Sequence, residues 1–376
     1  MRVWRVQCFL PAGPQAADTG LPRVIKYLGS KRTILPLILE EVHRADASTG
    51  GGGVRTVLDL FSGTSRVGHT LKRAGFRVLA NDHNAYALAL ARCYVQADAQ
   101  DVLEDARALV AEFNALPGSP GYFTSTFCEQ SRYVHPSNGE RIDAIREAIA
   151  KKSLPPELEA VMLVSLMEAA DRVDSTAGLQ MAYLKSWAPR AHNRVQLRVP
   201  DVLPRAAWGK AAAHSMDALD AARSLDADLV YIDPPYNQHS YLANYHVWES
   251  LVRWDKPEVY GVACKRTDVR TRRSAFNSRP LAAQRLAEVL HAVRAPVIAL
   301  SFSDEGFISR AQIESLLTSL WEGQARLRTL AVPFKRYVGA QIGIYNPAGE
   351  KVGEPGHLTN TEFLFVASRQ PAARAG

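Results

Sequence analysis

An apolar run, Leu229-Val230-Tyr231-Ile232, hands over directly to Asp233-Pro234-Pro235-Tyr236-Asn237. That order of residue types suits chemistry on a planar amine. The Asp233 carboxylate can accept a hydrogen bond from an exocyclic NH2, and the Pro234 carbonyl can accept the other amine hydrogen. Two successive prolines hold that carbonyl in a rigid extended turn. Two acceptors on one conjugated amine draw it towards tetrahedral geometry and localise its lone pair, which makes it a nucleophile. Tyr236 supplies a face on which the ring bearing the amine can stack. A Pro-Pro turn that merely closes a strand is the bland alternative, and residues upstream weigh against it.

Those residues are Asp59, Phe61, Ser62, Gly63 and Gly68 in DLFSGTSRVG (59–68), followed by Asp82. A strand, a glycine-containing turn and a helix start make a nucleotide-binding βα turn, because glycine lets the backbone approach a ligand and the helix start offers free N–H groups. A GxGxxG dinucleotide fingerprint would need glycine at Ser65, so a pyrophosphate ligand is disfavoured. An acid at the end of the second strand, roughly 20 residues on, can take both hydroxyls of a ribose. Asp82 can equally cap the helix that opens at Asn84. Together the turn and the acid favour an adenosine-containing ligand.

The elements that must position these groups alternate strand and helix. Strands are expected over 56–61, 76–82, 226–236, 295–304, 326–338 and 361–368, and helices over 65–75, 84–95, 245–254 and 308–321. The βαβ start implies a parallel sheet. Residues 98–215 break the rhythm with helical segments and Pro-rich joints, including the apolar helix 157–173. Residues 45–56 read as a flexible Gly-rich linker.

With 376 residues, 47% hydrophobic and 22% charged, the chain can bury a full-sized core. No run approaches the roughly 20 apolar residues that span a bilayer, so a protein with no membrane association is expected. Residues 1–22 read as a disordered extension rather than a signal peptide, since Pro11 and Pro14 cut its apolar patch short. Four scattered cysteines suggest neither a disulfide framework nor a zinc site, and a reduced, cytoplasmic protein without metal is expected.

The formal charge of +7 is concentrated. Residues 181–211 and 264–279 each carry six basic residues against one acidic, while the rest of the chain is slightly acidic. A solvated charged face usually mixes both signs, so these segments read as a phosphate-contacting surface. Lys185, Arg190, Arg194, Lys265, Arg266, Arg270, Arg272 and Arg273 are the candidate contacts.

The combination resembles the D12 class of S-adenosylmethionine-dependent DNA adenine-N6 methyltransferases, the Dam-like group. The likeness runs over nearly the whole chain from Ile25. The family's opening motif of aromatic, Gly and Lys before an apolar helix is matched by KYLGSKRTILPLI (26–38). By that match Tyr27 packs on the cofactor and Lys31 reaches its carboxylate. DLFSGT (59–64) is similar to the family's cofactor loop, Asp82 to its ribose acid, Asp217 in HSMDALD (214–220) to the position beside the cofactor adenine, and DPPY (233–236) to its catalytic tetrad. Tyr27 stands where many members have Trp or Phe, and Thr64-Ser65 where a second glycine is frequent.

The resemblance implies a Rossmann-like class I methyltransferase sheet with helices on both faces. It also implies a catalytic domain over 23–97 and 216–370, and a mainly helical target-recognition insertion over 98–215. The implied activity is site-specific methylation of a flipped-out adenine in double-stranded DNA by a chain that can act as a monomer, with any cognate restriction enzyme a separate protein. Rival readings keep the tetrad but change the acceptor to cytosine N4, RNA adenine or protein glutamine, or keep the fold as a non-catalytic DNA-binding relative.

Overall fold

The computed structural model describes residues 24–29, 31–48, 53–335, 344–345, 351–353 and 359–370. The expected extension over 1–22 and residues 49–52 of the expected linker lie outside them. Residues 45–48 are not linker but the last turn of a helix, α1 (Leu35–Ser48).

Seven strands form the central sheet: β1 (Thr56–Asp59), β2 (Arg77–Asn81), β3 (Ala212–His214), β4 (Leu229–Ile232), β5 (Val297–Ser303), β6 (Ala325–Lys335) and β7 (Thr359–Arg369). Their order is β3-β2-β1-β4-β5-β7-β6. The first five run parallel, and β7 is antiparallel to both of its neighbours. Chain order reverses direction between β1 and β4, and such a switch point opens a crevice at the carboxyl ends of the strands. Asp59 ends β1 and Asp233 follows β4, so both acids lie at that crevice.

Side chains alternate across the sheet with the period of two that strands impose. Val57, Val78, Leu229, Tyr231, Val297 and Ala299 face a core shared with α1 and α2 (Arg66–Arg73). Leu58, Leu79, Val230, Ile232, Ile298 and Leu300 face the other layer. A third core joins α3 (Ala85–Ala91) and the π-helical turn that extends it, Arg92–Gln96, to α4 (Ala99–Ala115), α5 (Pro136–Lys152) and α6 (Pro156–Arg172). Helix α6 is buried nearly all round, as its apolar composition predicts. The second layer consists of α7 (Ala218–Ser224), α10 (Arg279–Ala292) and α11 (Arg310–Thr318), whereas α8 (Tyr241–Asn244) and α9 (His246–Arg253) pack into the helical core.

The doubly covered sheet agrees with the expected class. One boundary moves: β3 pairs with β2 through Ala212 against Leu79 and His214 against Asn81, so the sheet resumes at Ala212 and not at residue 216. Three residues of Ala-Ala-His carry too little pattern to be read as a strand. Among the described residues no helix is long and apolar enough to cross a membrane.

Ser65 shows what the missing second glycine costs. Its backbone is left-handed, with φ 59°, and it opens α2 without a side-chain cap bond. Its hydroxyl is fully buried and has no hydrogen-bond partner. A non-glycine residue in this region is strained by about 1–2 kcal/mol. Ser65→Gly relieves that strain and removes an orphaned hydroxyl, against some added entropy in the unfolded chain. We expect a net gain of about 1 kcal/mol, read as a higher urea midpoint at unchanged slope. A lower midpoint would contradict this account of the turn.

Candidate active site

A cleft of about 330 Å3 opens at the switch point between β1 and β4. All nine expected cofactor residues line it: Tyr27, Lys31, Asp59, Phe61, Ser62, Gly63, Thr64, Asp82 and Asp217. Asp233 and Pro235 line it too, though Pro234 and Tyr236 do not, so the ends of the two motifs read separately in sequence face one space.

The glycine turn is built by its neighbours. Gly63 adopts φ +49°, and a Cβ there would stand 3.3 Å from the Tyr27 hydroxyl, which is the close approach that demands glycine. The Gly63 N–H donates to one oxygen of Asp82 at 3.0 Å, and the Asn84 N–H donates to the other at 2.9 Å. Asp82 thus braces the glycine turn and fixes Asn84, the residue before α3, without capping the helix. Burial pushes its pKa up, while these two N–H groups hold it down.

Tyr27 is stacked on Tyr245 at 4.6 Å and Tyr241 at 5.2 Å between ring centres, and its hydroxyl lies 3.3 Å from that of Tyr86. This aromatic pile fixes one wall. Asp217 caps α7 by accepting from the Leu219 N–H, and is ion-paired to Arg285 at 2.6 Å.

Two polar groups in the lining are buried and poorly satisfied among the described residues: the Ser62 hydroxyl has no partner, and the Asp59 carboxylate has at most the Gly68 N–H, which holds its pKa down slightly. Burial, with the charge of Asp233 adding to it, raises the Asp59 pKa to about 8. Buried polar groups are normally satisfied. Poorly satisfied ones beside a glycine turn and a braced acid fit a ligand that is itself polar on several sides, as an adenosine with an amino-acid tail is.

At the far end, the Lys31 ammonium sits between Asp233 at 3.0 Å and Glu362 at 2.9 Å. The Lys31 side chain is 8% exposed. Burial alone would lower its pKa, but the two carboxylates raise it well above the usual lysine value. Burial lifts the Asp233 pKa to about 6, with Lys31 opposing and Glu362 adding to the rise. Pro234 is buried, and Tyr236 is half-buried with its ring edge-on to Phe302 at 5.7 Å and 5.6 Å from the Lys31 nitrogen.

The basic segments divide. Lys185, Arg194, Arg270 and Arg273 are exposed, Lys265 is half-buried, and Arg270 lies 3.9 Å over the Tyr260 ring. Among the described residues Arg273 forms no ion pair, and it lines the cleft. Three of the expected phosphate contacts are already paired within the protein. Arg190 is bound to Asp174 at 2.8 Å and to the Thr176 carbonyl at 2.6 Å. Arg272 is paired with Glu249 at 2.9 Å and Asp268 at 3.4 Å. Arg266 is 2% exposed and clamped bidentately by Asp255 at 2.7 and 2.8 Å and by Asp268 at 2.9 and 3.0 Å. Arg266 and Arg272 brace the 264–279 loop, with Arg272 also lining the cleft, while Arg190 braces the turn at Asp174–Thr176.

Arg266→Met should therefore cost stability. Deleting one partner of a buried ion pair costs about 3–5 kcal/mol, and less here because Asp255 and Asp268 stay partly hydrated. A loss of about 2 kcal/mol is expected in denaturant melts. An unchanged midpoint would contradict the role of Arg266 in bracing the loop.

Glu362, Tyr241, Tyr245 and Arg285 escaped the sequence reading. Tyr241 and Tyr245, four apart just after the DPPY motif, had a helical spacing that could have flagged them. Glu362 was visible as the one acid inside the apolar strand TEFLFVAS. Among the described residues no group of three or more His, Cys, Asp or Glu side chains is arranged to hold a metal ion.

The chain is 28% identical over 333 residues to Type II methyltransferase M.FokI of Planomicrobium okeanokoites, covering 83% of this chain and 50% of that protein. It is 26% identical to modification methylase StsI of Streptococcus sanguinis, covering 85% and 50%. It is 27% identical to Type II methyltransferase M.NlaIII of Neisseria lactamica, covering 78% and 87%. The chain thus spans about half the length of the first two relatives and most of the third. The profile of the D12 class N6 adenine-specific DNA methyltransferases matches residues 27–294, a span that holds the aromatic-Gly-Lys motif, the glycine turn, Asp82 and the DPPY tetrad. The chain belongs to that family.

Proposed function

We propose that this chain methylates the N6 amine of adenine at a specific site in double-stranded DNA, with S-adenosylmethionine as the donor. The observation that carries the reading is the opening of Asp233 into the same cleft as the Tyr27 wall, the Gly63 turn and Asp82. An acceptor for an amine and a cradle for an adenosine then lie side by side.

Tyr27, the 61–64 turn, Asp82 and Asp217 would hold the donor, and Asp59 and Ser62 would find partners in it. When bound, S-adenosylmethionine supplies an electrophilic methyl group on a sulfonium. Asp233 accepts a hydrogen bond from the amine and the Pro234 carbonyl takes the second, so the lone pair is free to react. The methylated nitrogen must shed one proton, and the Asp233 carboxylate can receive it and release it to solvent. An adenine inside the duplex is out of reach of these groups, so it must flip out, at a few kcal/mol of unstacking. The exposed Lys185, Arg194, Arg270 and Arg273 together with Lys265 would grip phosphates, and the helical insertion would read the site. A monomer suffices for this chemistry, acting in the cytoplasm, and any cognate nuclease would be a separate chain.

The direct test incubates the purified chain with methyl-tritiated S-adenosylmethionine and mixed-sequence duplex DNA, then separates the nucleosides. Label in N6-methyldeoxyadenosine is expected. Label in N4-methyldeoxycytidine, or none in DNA but some in RNA or protein, would move the function to the corresponding acceptor.

A further inference from the structure

Glu362 lies in the middle of β7, paired across the sheet with Ser303 of β5 and Val332 of β6. Its side chain is 9% exposed, and it is not among the residues that line the cleft. A carboxylate at a buried position of a central strand is costly unless it is paired. Its partner is Lys31, 2.9 Å away, and Lys31 is at the same time 3.0 Å from Asp233. One cation is thus shared by two acids, only one of which faces the cleft.

We propose that Glu362 is a positioning residue for methyl transfer: by sharing the Lys31 ammonium with Asp233 it leaves the cluster one net negative charge at the amine. This rests on the reading that Asp233 receives the amine. With Lys31 alone, Asp233 would be paired one to one and its charge largely cancelled. A weakened acceptor polarises the amine less and is a poorer proton acceptor, since efficiency falls with basicity. With Glu362 in place, Lys31 keeps Asp233 ionised and oriented without neutralising it. The other groups whose charge or titration bears on Asp233 are Asp59 at the end of β1, Tyr231 on β4, Tyr236 after it and Tyr241 on α8. None of these four is a cation. Glu362 therefore acts on Asp233 through the Lys31 that they share and through its own charge.

The sign of the effect distinguishes this from a structural ion pair. Glu362 raises the pKa of Asp233, so Glu362→Gln lowers it. The acid limb of kcat/KM, near pH 6 in the wild type, should move down by about half a unit or more. The plateau rate should nevertheless fall, by about two- to threefold, because the acceptor is weaker. A variant that works to lower pH yet more slowly is not what loss of packing produces.

The experiment measures methyl transfer to duplex DNA against pH for wild type, Glu362→Gln and Glu362→Asp, with calorimetric affinity for S-adenosylmethionine and melting temperature alongside. A second readout needs no turnover: infrared titration of carboxylates in the free protein, with Asp233→Asn identifying the Asp233 band. Support requires the lower plateau, the downward limb and the downward infrared titration in Glu362→Gln. It also requires cofactor affinity within about twofold and recovery of the limb in Glu362→Asp, which keeps the charge. An unmoved limb and unmoved Asp233 band would overturn the proposal, whatever happens to stability or rate. If the wild type transfers no methyl group to DNA, the functional reading fails, and the infrared titration still decides whether Glu362 governs Asp233.

Discussion

Asp233→Ala is expected to lower methyl transfer by about 10^3-fold while leaving the fold and the affinity for S-adenosylmethionine nearly unchanged. The size combines two losses: one preorganised hydrogen bond to the reacting group, typically worth 10^2–10^3 in rate, and the receiver of the departing proton. Affinity should survive because the walls that fit the donor, Tyr27, Gly63 and Asp82, are braced by one another and not by Asp233. Single-turnover kinetics with cofactor calorimetry separates the two effects. A variant that retains a tenth of the wild-type rate would remove Asp233 from the chemistry.

Lys31→Met carries the second large effect, and its sign is the more informative. The family resemblance gives Lys31 to the cofactor carboxylate, whereas the structure has it between Asp233 and Glu362. Lys31 lowers the pKa of Asp233 and Glu362 raises it, so removing the cation leaves two unpaired buried acids and pushes the Asp233 value up from about 6. An opposite charge at this range shifts a carboxylate by about 1–3 units. The acid limb should therefore rise to or above neutrality. The rate at pH 7 should fall by about ten- to a hundredfold and recover in part as the pH is raised. If Lys31 instead serves only the cofactor, KM for S-adenosylmethionine rises and the limb stays where it was. Lys31→Met and Glu362→Gln should thus move the same limb in opposite directions.

What was legible in the sequence is what the chain keeps contiguous. The apolar strand into DPPY and the strand-glycine turn into Asp82 are each short enough to carry their own meaning, because a strand end and the turn after it position residues without help from elsewhere. The nine cofactor candidates and Asp233 share one cleft for that reason. Pairing across space is not contiguous. Lys31 and Glu362 are brought together only once β7 inserts beside β5, and no local pattern announces that. The basic loop follows the same rule: Arg266 and Arg272 read as surplus charge along the chain, but Asp255 and Glu249, outside the counted segment, claim them. Strand β3 was missed because three small residues have no period to read, although its place at the sheet edge is fixed by backbone pairing to β2.

The central claim is that a single cleft holds the donor and delivers its methyl group to adenine in DNA through Asp233. The most direct measurement expresses the chain in a methylation-deficient bacterial host and sequences the genome by a method that detects modified bases, with Asp233→Ala beside it. The account predicts N6-methyladenine at the copies of one short motif and none in the variant. An unmodified genome from a folded wild-type protein that binds S-adenosylmethionine would contradict it.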